Sequence, residues 1–145
     1  MNVKYRVRAT NEDGAKTVVK AKKFEMVIDE PANLGGTNEG PNPLEYLLAA
    51  LCGCLSVSGR LVAKEMGFTL RSMEWTLVGE LDPGKFMGTS SNNRSGYETI
   101  SVQCTADADT DEETLAKWAD AIEDRCPVSD NIQHATSIHI DVNRA

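Results

Sequence analysis

The residues best suited to chemistry in this chain are its four cysteines, Cys52, Cys54, Cys104 and Cys126. Cys52 and Cys54 sit in one apolar run, Leu47-Leu48-Ala49-Ala50-Leu51-Cys52-Gly53-Cys54-Leu55. On a helix, two positions that close are separated by about 200° of rotation, so the two thiols point to nearly opposite faces. They cannot easily share a disulfide or a metal ion. Cys104 alternates with Ile100 and Val102, which predicts a small buried hydrophobe on the core face of a strand, and Cys52 is expected to be buried in the same sense. Cys126 differs, because Cys126-Pro127-Val128-Ser129 reads as the cap and first turn of a new helix. A thiol there meets the positive end of the helix dipole, and Arg125 adds a cation beside it, both of which favour the thiolate. Cys54 has Leu47, Ala50, Leu51, Val57, Ser58 and Leu61 on its face. That apolar setting alone would raise its pKa, so it becomes a nucleophile only if a cation reaches it from elsewhere in the fold.

Other chemistries find little support. His139 lies between Ile138 and Ile140 and is expected to face solvent, and His134 follows Gln133 in a polar stretch. No Cys/His spacing resembles a metal motif, so no metal or cofactor is expected. Leu34-Gly35-Gly36-Thr37 lacks the lysine and hydroxyl ending of a phosphate cradle, and no nucleophile elbow is present. The 145 residues carry 15 Lys+Arg against 22 Asp+Glu, a net charge of −7. This argues against nucleic acid as a partner, since such binding rests on a basic footprint. No uninterrupted apolar run approaches the ~18 residues that read as a membrane span, and the run from Leu47 is too short to cross one. The opening residues lack the apolar stretch of a signal peptide, so a cytoplasmic, reducing setting with free thiols is expected.

The elements that must position these thiols are written in periodicity and breakers. Residues 3–9 alternate apolar and polar, as do Phe24, Met26 and Ile28, so the first thirty residues read as antiparallel strands around an Asn11-Glu12-Asp13-Gly14 turn. Residues 30–43 form a Gly- and Pro-rich loop. Asn42 is a strong N-cap, Pro43 suits the first helical position, Glu45 completes a capping box, and Gly67 is a C-terminal stop. The helix between them is apolar on all sides at residues 47–55, which implies burial on all sides. Strands follow at Leu70, Met73, Trp75 and Leu77 and at Ile100, Val102 and Cys104, separated by a polar loop at residues 89–96 that is expected to be mobile. Thr110-Asp111-Glu112-Glu113 is a second capping box, opening a helix with Leu115, Trp118 and Ile122 on one face. Ile138, Ile140 and Val142 read as a last strand. The sum is one α+β domain over residues 1–145, with antiparallel-rich sheets around a long buried central helix. Five or so strands and one more helix cannot enclose such a helix, so a homodimer burying two of them together is expected.

The stretch from Gly35 to Leu55, with Asn42-Pro43 leading into a buried helix that carries Cys54, together with Cys126-Pro127-Val128-Ser129, resembles the OsmC/Ohr family of osmotically inducible and organic hydroperoxide resistance proteins. The resemblance extends over essentially the whole chain. It implies an intertwined homodimer and a thiol peroxidase for organic hydroperoxides, with Cys54 as the attacking sulfur. Cys126 would resolve the resulting sulfenic acid as an intramolecular disulfide, and a dithiol such as dihydrolipoamide would reduce that disulfide. The family's glutamate directly follows its Asn-Pro. Here Leu44 does, and Glu45, one place later, is the catalytic candidate beside its capping role. The family's hairpin-turn arginine falls at Glu12 in this chain, leaving Arg6, Arg8 or Arg94 as candidate substitutes. Two alternatives share the scaffold: other thiol or persulfide chemistry, and a non-enzymatic role in holding an apolar ligand.

Overall fold

The structure is a computed structural model and describes residues 1–89 and 92–145; Ser90 and Ser91, in the polar loop after Asp82, lie outside the described residues. The chain is α+β, with antiparallel sheets and a long central helix, and it divides into two compact units, Met1–Ala49 and Ala50–Ala145.

In the first unit, β1 (Arg8–Thr10), β2 (Thr17–Ala21) and β3 (Phe24–Ile28) form an antiparallel sheet in the order β1-β2-β3. Ala9, Val19 and Met26 are in register across it. The expected strand over residues 3–9 shrinks to Arg8–Thr10, and Val3, Tyr5 and Val7 are exposed. Alternation gives a segment a strand-like face, but a ladder needs a partner, and along the N-terminal segment only residues 8–10 pair with β2.

The loop from Asp29 to Asn42 is organised by one carboxylate. Asp29 is fully buried and accepts from the amides of Glu30, Thr37 and Glu39 and from the Thr37 hydroxyl, at 2.8–3.2 Å. These bonds hold its pKa below the usual carboxylate range, the Glu39 amide foremost. Lys16 reaches across to Glu39 at 2.9 Å and ties the hairpin to the loop.

The loop delivers the chain into α1 (Pro43–Met66). Its start is the expected capping box: the Glu45 amide donates to Asn42 Oδ1 and the Asn42 amide to Glu45 Oε2, each at 2.8 Å. Tyr46 anchors the first turn by donating its hydroxyl to the Val27 carbonyl. Gly67, at φ 81°, ends the helix in the left-handed region, where a missing Cβ removes the steric cost.

In the second unit, β4 (Leu70–Glu80) and β5 (Thr99–Ala108) form an antiparallel pair with a bulge between Leu70 and Ser72. α2 (Glu112–Arg125) and the short α3 (Pro127–Gln133) follow. The cap of α2 is Asp111, which accepts from the Thr114 amide, one place later than a box starting at Thr110. Trp118 and Ile122 are buried as expected, joining Leu51, Leu55, Val62, Ala63, Leu70 and Cys126 in the core.

As expected, the single chain does not enclose α1 on all sides, while two other expectations are corrected here. Leu51, Leu55, Ser58, Gly59, Val62 and Ala63 are buried, while Val57 and Leu61 on the opposite flank are exposed. At 24 residues it is also long and apolar enough to cross a membrane by length and composition, unlike the shorter run within it. One face packed in a protein core marks it as a core helix. Ile138, Ile140 and Val142 form no strand and are 81%, 82% and 89% exposed, having no ladder to join in one chain.

Candidate active site

Of the four thiols, the fold brings together Cys54 and Cys126. Cys54, in the fourth turn of α1, packs against the core of the second unit on the border between the buried face and the open flank carrying Val57 and Leu61. Cys126 is at once the last cap of α2 and the first cap of α3, and it has no exposed surface. Cys54 lies close enough to Cys126 to perturb its ionisation. Pro127 at the first position of α3 continues the chain without needing an amide donor, and the Ser129 amide points at Cys126 Sγ, 3.4 Å away.

The electrostatics of Cys126 differ from the expectation. Burial pushes its thiol pKa up, the neighbouring Cys54 adds to the rise, and the Ser129 and Val128 amides only partly oppose it. The helix-end effect is therefore present but loses to desolvation. Arg125, expected as a cation beside the thiol, instead faces Glu65 of α1, with Nη1 on Oε2 and Nη2 on Oε1, the latter at 3.1 Å. Nothing local in the sequence announces that pair, whose members lie sixty positions apart.

The other cysteines part company with this pair. Cys104 is exposed, contrary to the expected core position, although partial desolvation still raises its pKa. It stands opposite Trp75 on β4, on the face shared with Val102, and the middle of β5 is left uncovered in the single chain. Alternation identified the right face but could not show where its cover ends. Cys52 is half-buried, and its carbonyl accepts from Ser56.

Glu45 lies in the first unit with its carboxylate on the Asn42 amide. Arg8 is also there, lining an open cavity with Lys16, Lys20 and Glu25. Within the second unit, Arg60 donates to the carbonyls of Leu70 and Arg71, and Arg71 is held by Asp107 and Asp109. Among the described residues no three His, Cys, Asp or Glu side chains gather as metal ligands.

Two aromatic residues complete the surroundings. Trp118 donates Nε1 to the Gly59 carbonyl at 2.9 Å and stacks on Trp75, with ring centroids 6.5 Å apart. A Cβ at position 59 would come within 2.8 Å of Met73 Sδ and 3.0 Å of Trp118, so the missing side chain is what lets the indole reach the helix. The Trp75 Nε1 is buried with no hydrogen-bond partner among the described residues.

A half-buried helix thiol close to a buried thiol at a later helix junction is set in a fold with known relatives. The OsmC-like protein family model matches residues 36–141, and the chain belongs to that family. A hydroperoxide reductase of Mycoplasma pneumoniae is 25% identical over 147 residues, spanning 99% of this chain and 96% of that protein. The crystal structure of an OsmC-like protein from Mycoplasma pneumoniae superposes with a TM-score of 0.80 at 20% identity, covering 92% of this chain and 89% of the other. The organic hydroperoxide resistance protein OhrB of Bacillus subtilis superposes with a TM-score of 0.58 at 20% identity, over 88% of each chain. These two likenesses concern the fold.

Proposed function

We propose that this protein is a two-cysteine peroxidase that reduces organic hydroperoxides. The observation that carries the reading is the proximity of Cys54 to Cys126 in the core of the second unit. Their unequal burial supports the division of labour: Cys54 borders an open apolar flank, whereas Cys126 is sealed. The Cys54 thiolate attacks the O–O bond of the hydroperoxide, which with one proton leaves as an alcohol, and the sulfur becomes a sulfenic acid. Cys126 then attacks that sulfur, and the sulfenic oxygen departs as water with the thiol's proton. A dithiol such as dihydrolipoamide restores both thiols by exchange. In this reading Glu45 serves the reaction through the start of the helix that carries Cys54. The name of the Mycoplasma pneumoniae relative, hydroperoxide reductase, points the same way.

The working form in this reading is a homodimer acting in the cytoplasm as one domain per chain. Val57 and Leu61, at 72% and 48% exposure, leave one flank of α1 bare, and the alternating ends of the chain have no ladder. A second copy supplies cover of matching chemistry. Sedimentation showing a stable 15.8 kDa species at low micromolar concentration would refute the dimer.

Intact-mass measurement tests the peroxidase. One equivalent of cumene hydroperoxide should remove two hydrogens by linking Cys54 to Cys126. Cys54→Ser should abolish consumption, and Cys126→Ser should allow one turnover followed by overoxidation of Cys54. Both thiols remaining free while the peroxide persists would sink the reading.

A further inference from the structure

Three attachments hold the junction of α2 and α3 against α1: the packing of Cys54 against the core cluster that contains Cys126, the Trp118 bond to the Gly59 carbonyl, and the forked ion pair of Arg125 with Glu65. They are spread along the helix over positions 54, 59 and 65, about 16 Å of axial rise. The first of these must rearrange when a disulfide forms, because the two sulfurs have to close to about 2 Å. The second is buried and apolar in its surroundings. The third belongs to the residue immediately before Cys126, on the polar side of the helices, and has no part in the core.

We propose that the Arg125–Glu65 pair is a positioning device for the resolving thiol: it holds the backbone at Cys126 in register with Cys54, so that the sulfenic acid is captured before a second hydroperoxide reaches it. This rests on the peroxidase reading, with Glu65 and Arg125 acting through Cys126. The competing reactions balance as follows. Capture joins the two sulfurs and releases water. Overoxidation transfers one oxygen from a second hydroperoxide to the Cys54 sulfenate, giving a sulfinate and an alcohol. A forked guanidinium–carboxylate pair fixes orientation as well as distance, which a single ammonium contact would not. The pair is partly exposed, so its effect on global stability is small, while its effect on a step sensitive to sub-ångström placement is larger.

The test uses the full-length protein and Glu65→Gln, alongside the exchanged pair Glu65→Arg with Arg125→Glu. Under excess cumene hydroperoxide, Glu65→Gln should form Cys54 sulfinate roughly two- to fivefold more often per turnover, with the rate of the first hydroperoxide consumption unchanged, and the exchanged pair should restore the parent ratio. A second readout needs no peroxidase activity: diamide takes two hydrogens from the thiol pair, and Cys54–Cys126 disulfide formation should slow by the same factor in Glu65→Gln. An unchanged sulfinate ratio in a variant that turns over, or an unchanged diamide rate, overturns the proposal. If the parent protein consumes no hydroperoxide but Glu65→Gln still slows the diamide reaction, the peroxidase reading fails and the positioning role stands.

Discussion

The loop around Asp29 and the core around Cys126 each enclose a fully buried titratable group, and they treat it in opposite ways. Asp29 is surrounded by amides and a hydroxyl that all favour its charge, and its pKa falls. Cys126 receives weak help from two amides, is otherwise enclosed by apolar side chains and another thiol, and its pKa rises. The difference teaches that burial alone does not decide ionisation; the number of donors aimed at the group does. The first arrangement ties three loop amides to one carboxylate. The second keeps a sulfur neutral, dry and available to its neighbour.

The sharpest way to break the apolar half of that contrast is Trp118→Ala. Removing a buried indole with its bond to Gly59 should cost about 3–5 kcal/mol in denaturant unfolding, and should also slow disulfide formation between Cys54 and Cys126. Asp29→Asn tests the polar half. A carboxylate whose folded pKa is depressed stabilises the protein above its unfolded pKa, and that contribution disappears as pH falls through the folded value. The parent should therefore lose stability as pH drops below about 4, and the variant should be less stable at neutral pH with a flatter acid profile, read by thermal melts. The smallest effect belongs to the helix start. Asn42→Ala should cost about 1 kcal/mol, and if Glu45 acts only through the cap, Glu45→Gln should leave peroxide consumption per folded molecule unchanged.

Local signals in the sequence were the ones the fold honoured. Asn42, Pro43 and Glu45 begin α1, Gly67 stops it, and Cys126-Pro127 opens α3, because each depends only on neighbours within one helical turn. The family was legible for the same reason, through two short motifs in order. What depended on distant partners was not. The alternating ends at residues 3–7 and 138–142 carry strand periodicity without a strand, and Cys104 lies on an apolar face that the single chain leaves uncovered. Arg125 could be read as a cation beside Cys126 only while the Glu65 carboxylate was out of view. The proximity of Cys54 to Cys126 was legible only through resemblance, since seventy-one intervening residues separate them in the chain.

Both tryptophans of the chain are committed to the stack between Trp75 and Trp118, in the same cluster as Cys126. The molecule therefore carries its own optical reporter. A disulfide near an indole quenches its emission more strongly than thiols do, so redox events in this core are open to stopped-flow observation with no dye attached.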